Sequence, residues 1–114
     1  MPRFAVLAHD HPTPHWDLFL ESGPVLRAWR LPVPLQPGVD VPAEAIANHR
    51  LLYLDYEGPV SGGRGAVTRV DAGTFDWHII QQDRVAVRLV GTRFTGLLTL
   101  HHGPDGWSAR LDPP

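Results

Sequence analysis

Short apolar runs, separated by breaks that carry glycine or proline, fill the chain from end to end, the signature of strands joined by turns. "RFAVLAH" (3–9), "HWDLFLE" (15–21) and "VLRAWRL" (25–31) predict the first three strands, with "ESGPV" turning the second into the third. "RVAVRLV" (84–90) alternates most clearly, setting Val85, Val87 and Leu89 on one face and Arg84 and Arg88 on the other. "RFTGLLTLHH" (93–102) and "WSARL" (107–111) predict a last hairpin around "GPDG". Between them, "AVTRV" (66–70) and "TFDWHIIQQ" (74–82) flank "DAG", which predicts another hairpin, and "SGGRG" (61–65) predicts a tight turn. The proline-rich stretch "PVPLQPGVDVPAEA" is too broken for a long helix. Its continuation "PAEAIAN" fits one helical turn, with Pro42 in the first position, or equally a short strand. "HRLLYLDYEG" (49–58) is expected to be extended. The pattern predicts an all-β, mainly β protein: a small closed or partly open β-barrel, or a sandwich, of about eight short strands with at most one or two short helical turns.

Composition narrows this picture. A chain of 114 residues, 43% hydrophobic and 19% charged, is expected to be one domain over 1–114, large enough to hold a single hydrophobic core. It has no cysteine, so any metal must be held by imidazole, carboxylate or water, which suits zinc, manganese or a similar divalent ion. The N-terminus "MPRFAVLAH" turns polar too soon for a signal peptide, and no apolar run reaches membrane-spanning length. The expectation is a cytoplasmic monomer with no membrane partner. A formal charge of -2 excludes a strongly basic nucleic-acid wrapper but not local contact with phosphate. All 10 basic residues are arginine. Arginine forks suit phosphate, although coding bias produces the same composition.

"HDHPTPHWDLFLE" (9–21) concentrates the chemistry. His15 and Asp17 lie two apart on a predicted strand and share a face, while the turn "DHPTP" is able to return His9 beside them. Two nitrogens and one carboxylate would leave open positions on an ion, as a catalytic metal site needs. The plain alternative is a polar strand–turn–strand corner. Asp10 is expected to orient a histidine or cap the turn, and His11 to be solvated. His101 and His102 point to opposite faces and His78 to solvent. In the extended reading of residues 49–58, His49 shares a face with Tyr53, and Asp55 with Glu57. An imidazole beside a phenol is suited to hydrogen-bonding phosphate or assisting proton transfer; tyrosines packed for burial are the alternative.

Taken together, these segments resemble the 3′-phosphoesterase domain of bacterial DNA ligase D, including its free-standing versions. "FAVLAHDHPTPHWDLFLE" resembles the family's strand ending in His-Asp followed by His-aromatic-Asp. "VLRAWRLP", "HRLLYLDYEG", "SGGRGAVTRVDAGTF" and "GTRFTGLLTL…GW" are similar to its later elements, in order over nearly the whole chain. The resemblance implies a compact β-barrel with one Mn²⁺-like ion in a crescent groove, or another divalent ion such as Zn²⁺. It implies removal of a 3′-phosphate or 3′-terminal ribonucleotide from a DNA primer–template during end joining, beside ligase or polymerase partners. Carried over by position, His9, His15 and Asp17 match metal ligands, and His49 and Tyr53 match residues acting on the scissile phosphate.

Two positions depart from the family. Phe19 stands where a phosphate-clamping arginine is expected, and Val33 where a lysine is. Arg30, on the next predicted strand, and Arg64, in the glycine-flanked turn, are the substitute cations expected to meet phosphate. Two readings stay open: a divalent-metal-dependent 3′-phosphoesterase, or a non-catalytic module on the same barrel that binds nucleic-acid ends or protein.

Overall fold

The computed structural model describes all of residues 1–114. β1 (Arg3–His9), β2 (His15–Ser22) and β3 (Val25–Leu31) form an antiparallel meander, close to the predicted bounds. Their apolar residues are continuous rather than alternating because both faces of this part of the sheet are covered. Phe4, Val6, Leu18, Leu20, Trp29 and Leu31 belong to a core of 17 buried residues. Ala5, Leu7, Phe19, Leu26 and Ala28 belong to a separate cluster of 7, against which Tyr53, Tyr56 and Val60 pack. The first core fills the barrel; the second lies outside it, beneath the segment that follows β4.

β4 (Val41–Arg50), β5 (Gly58–Pro59), β6 (Ala66–Ile80), β7 (Arg84–Gly91), β8 (Thr95–Gly103) and β9 (Gly106–Asp112) complete the set. The sheet order is β1-β2-β3-β4-β9-β8-β7-β6-β5, and pairing of β1 with β6 closes eight strands into an antiparallel barrel. Closure removes the free edges that an open sheet would expose. A single 3₁₀ turn, Leu51–Leu54, is the one helical element, in keeping with the all-β expectation.

One open alternative is decided and three local expectations need correction. "PAEAIAN" is strand: β4 runs through it and pairs with β3 and, through Val41–Ala43, with β9. Residues 51–54 form the 3₁₀ turn, so the extended reading of 49–58 fails there. The last hairpin's first strand begins at Thr95 rather than at residue 93, since Arg93 and Phe94 belong to the preceding turn. The hairpin at "DAG" does not exist, because β6 passes straight through it for 15 residues. Its first part pairs with β1 and its second with β7, bridging the closure. Asp71, 5% exposed, accepts the backbone N–H groups of Thr92, Arg93 and Phe94 at 3.2, 3.0 and 2.7 Å, and so caps the β7–β8 turn. Gly73 is needed because a Cβ there would lie 2.1 Å from the Val90 carbonyl oxygen. Both residues imitate a turn signal while serving a neighbouring strand.

Candidate metal and phosphate site

β1 and β2 pair in a register that sets His9 opposite His15 and Leu7 opposite Asp17. The histidine rings stand 4.8 Å apart, centroid to centroid, at 61°. Asp17 Oδ2 lies 3.4 Å from His15 Nε2 and 3.8 Å from His9 Nδ1. One donor atom from each of the three residues lies within 4.8 Å of the other two. The sequence placed these residues together by a turn; the pairing register brings them together in space.

The opposite nitrogens fix which atoms face inward. His9 Nε2 donates to the Arg64 carbonyl oxygen at 2.8 Å, and His15 Nδ1 donates to the Thr13 carbonyl oxygen at 3.0 Å. A carbonyl only accepts, so in the neutral rings these nitrogens carry the protons and leave His9 Nδ1 and His15 Nε2 bare. His15 Nε2 and Asp17 Oδ1 are buried and lack a hydrogen-bond partner. With both rings neutral, three acceptors thus converge on one point. Such a set repels itself until a cation enters, and carbonyls holding the far ring nitrogens are the usual support for metal-binding histidines. The donor set, two imidazoles and a carboxylate, fits a divalent ion.

The two supporting carbonyls come from loops whose positions have identifiable causes. Asp10 caps rather than binds: its Oδ1 accepts the Ala66 N–H at 2.8 Å, tying the β1–β2 loop to the turn at 61–65. Gly65 has φ +73°, and a Cβ there would meet Asp10 Oδ1 at 2.1 Å. Only glycine lets the turn approach closely enough to present the Arg64 carbonyl to His9. The carbonyls of Thr13 and Arg64 carry no signal in sequence, since any residue type supplies one.

A cavity of about 220 Å³ opens beside this cluster, lined by His9, Asp17, Phe19, Arg30, His49, Tyr53 and Arg64 among others. His49 and Tyr53 do meet, with ring centroids 5.7 Å apart at 75°. They meet because the 3₁₀ turn folds Tyr53 back over the end of β4, not because both lie on one strand. Phe19, 1% exposed, is the shelf beneath them, 4.9 Å from the His49 ring and 6.1 Å from the Tyr53 ring. His49 Nδ1 donates to the Ala47 carbonyl oxygen at 2.8 Å, leaving Nε2 as the bare nitrogen of the neutral ring.

Arg30, facing the same groove, has Nε 3.9 Å from Asp17 Oδ1, and this nitrogen is buried without a hydrogen-bond partner. Arg64 also lines the cavity, with its guanidinium folded onto Ser61 through the backbone oxygen at 2.7 Å and Oγ at 3.2 Å. His11 lines the same cavity although exposed, while His78, His101 and His102 lie outside it. Val33 is 46% exposed and does not line the cavity.

Asp55 and Glu57 do not act as a pair. Asp55 grips Arg3 of β1 through two contacts, at 2.5 and 3.2 Å, and the guanidinium holds its carboxyl below the ordinary carboxylate value. Glu57 accepts the Arg69 backbone N–H at 2.9 Å. Together they fasten the segment carrying Tyr53 to the barrel.

A family model described as the DNA Ligase D 3′-phosphoesterase domain matches residues 7–102, most of the chain. The chain belongs to that family. Within the phosphoesterase match lie both histidines and the aspartate of the cluster, and also His49, Tyr53, Arg30 and Arg64. No curated protein matches the chain. No helix is long and apolar enough to cross a membrane.

Proposed function

We propose that this phosphoesterase-family domain hydrolyses phosphate esters at the 3′ ends of DNA, removing a 3′-phosphate or a 3′-terminal ribonucleotide in end joining, with a divalent ion, Mn²⁺ first among candidates. The observation that carries this is the convergence of three bare acceptors, His9 Nδ1, His15 Nε2 and Asp17 Oδ2, with their far ring nitrogens tied to carbonyls. These residues would hold the ion, whose Lewis acidity polarises a phosphoryl oxygen.

The chain's own groups complete the chemistry. Arg30 lines the cavity beside Asp17 with its guanidinium partly exposed and meets a phosphate oxygen, and Arg64 reaches the same oxygens once its guanidinium leaves Ser61. The His49 imidazole, in its imidazolium form, would stabilise the phosphoryl group or deliver a proton from Nε2 to the departing oxygen. The Tyr53 hydroxyl donates a hydrogen bond from the turn that Asp55 and Glu57 fasten. The aromatic shelf replaces a cation at position 19 and holds these two rings in place instead.

The test is turnover of a 3′-phosphorylated primer–template with Mn²⁺, Zn²⁺ and chelator, beside a His15→Ala control. Metal-dependent release of phosphate that vanishes in the control supports the reading. A second reading has its own observation: Phe19 is apolar where the family resemblance expects a phosphate clamp. If the protein retains 3′-end binding yet is inert with every metal tried, it is a binding module on the same barrel.

A further inference from the structure

A second cavity, of about 300 Å³, adjoins the first on the outer face of β2, β3 and β4, and its chemistry is different. Its walls are Pro12, Pro14, Pro32 and Pro42, with Thr13 and Glu44. His15 and Arg30 also line it, and Arg30 and Pro12 border both cavities. The cluster of His9, His15 and Asp17 therefore sits where the two spaces meet, with Asp17 toward the first and His15 toward the second.

A phosphodiester held at that meeting point has two arms. One arm continues into the strand and carries further phosphates, each a negative charge. The other, at a 3′ end, is a single nucleoside without further charge. Arg64 and His11 line the first cavity and no carboxylate does, apart from Asp17 itself. In the second, Glu44 is a carboxylate that repels phosphate, while the flat apolar faces of four prolines accept a sugar or a base. Glu44 is also able to accept hydrogen bonds from ribose hydroxyls or from a base's amino group.

From this asymmetry we infer that the proline-lined cavity is the subsite for the 3′-terminal nucleoside, with the charged strand lying toward Arg64. The inference rests on the phosphoesterase reading and adds to it the direction in which the substrate lies. Hydrolysis in this orientation adds one water across one ester bond. The phosphorus gains the water's hydroxyl, its bond to O5′ of the terminal nucleoside breaks, and that oxygen leaves with a proton. The strand keeps a 3′-phosphate, and the nucleoside departs from the proline-lined side.

Two measurements test this. The first compares kcat/KM for a primer ending in a ribonucleotide with that for the same primer ending in a 3′-phosphate, which has no nucleoside to place. Glu44→Ala should lower the ratio of the two about tenfold, the size of one lost hydrogen bond to a charged group, and Glu44→Arg should lower it at least as far. Equal loss on both substrates, or an unchanged ratio in both variants, overturns the subsite. Absence of metal-dependent turnover of either substrate by the wild type overturns the phosphoesterase reading itself, and the subsite with it. The second measurement needs no turnover. Adenosine titrated into the metal-free protein should shift the amide resonances of Thr13, Ala43 and Glu44 and leave Val60 and Arg64 in place. Shifts confined to Val60 and Arg64, or none at all, also overturn the assignment.

Discussion

Asp17→Asn separates a metal ligand from a structural ion pair, because the two roles predict different behaviour with and without metal. Asp17 is 5% exposed, its Oδ1 lacks a hydrogen-bond partner, and its nearest permanently charged partner, Arg30 Nε, stands 3.9 Å away. Breaking a buried ion pair that stabilises a fold costs about 3–5 kcal/mol. Here the contacts are long, and one carboxylate oxygen is buried without a partner, a condition that itself costs about 1–3 kcal/mol. At 3.9 Å the Arg30 contact lies beyond hydrogen-bonding distance, so its loss should cost far less than that of a close ion pair, and in chelator Asp17→Asn should change unfolding free energy by about 1 kcal/mol or less. With metal the difference becomes large. At an ion concentration one hundred times Kd, binding to the folded state alone contributes about 2.7 kcal/mol. For a domain of this size that corresponds to about 10 °C in Tm. Differential scanning calorimetry of wild type and variant, with chelator and through a Mn²⁺ titration, measures both quantities. The wild type should gain thermal stability with Mn²⁺, and Asp17→Asn should lose most of that gain while matching the wild type in chelator. A variant that is several kcal/mol weaker in chelator yet keeps its Mn²⁺ shift would refute the ligand role and leave Asp17 as a structural anion.

Other substitutions probe the supports of the site. Asp71→Ala strips three backbone N–H groups of their acceptor in the β7–β8 turn, and should cost about 3 kcal/mol or more in urea unfolding; a loss under 1 kcal/mol would mean that water replaces the carboxylate without penalty. Arg30→Ala and Arg64→Ala should each lower kcat/KM on a 3′-phosphorylated end, while Mn²⁺ affinity does not fall, since Arg30 is a cation 3.9 Å from Asp17; calorimetric titration of the ion beside steady-state kinetics separates the two effects. The Arg3 guanidinium holds the Asp55 carboxyl below its ordinary value of 3.8, so the pair's contribution is fully present above that value and is lost as pH falls through the lowered one. Unfolding curves of wild type and Asp55→Asn should therefore differ near neutrality and converge in acid, and added salt should narrow the gap because the pair is exposed.

Strands β1, β2, β3 and β7 were legible in the sequence because their residues carry the sheet's own period or an unbroken apolar run between turn signals. The approach of His15 to Asp17 followed from the same rule, since residues two apart on a strand share a face. Position-by-position likeness singled out His9, His49 and Tyr53 as well. Local pattern failed where a residue serves a distant strand. Asp71 and Gly73 spell a turn, but one caps residues 92–94 and the other clears the Val90 carbonyl, so β6 runs on without bending. β4 was ambiguous because few of its residues are buried and its alternation is weak; pairing with β3 and β9 made it a strand. Tertiary structure alone decided the chemistry of the cluster. The β1–β2 register set His9 against His15, and carbonyls of Thr13 and Arg64, which no side chain announces, left two ring nitrogens bare. It also decided that Phe19 lies beneath His49 and Tyr53 while Arg30 reaches the groove beside Asp17. Sequence fixes which chemical groups exist and the period on which they project, whereas the direction of a lone pair depends on partners dozens of residues away that only barrel closure brings within hydrogen-bonding distance.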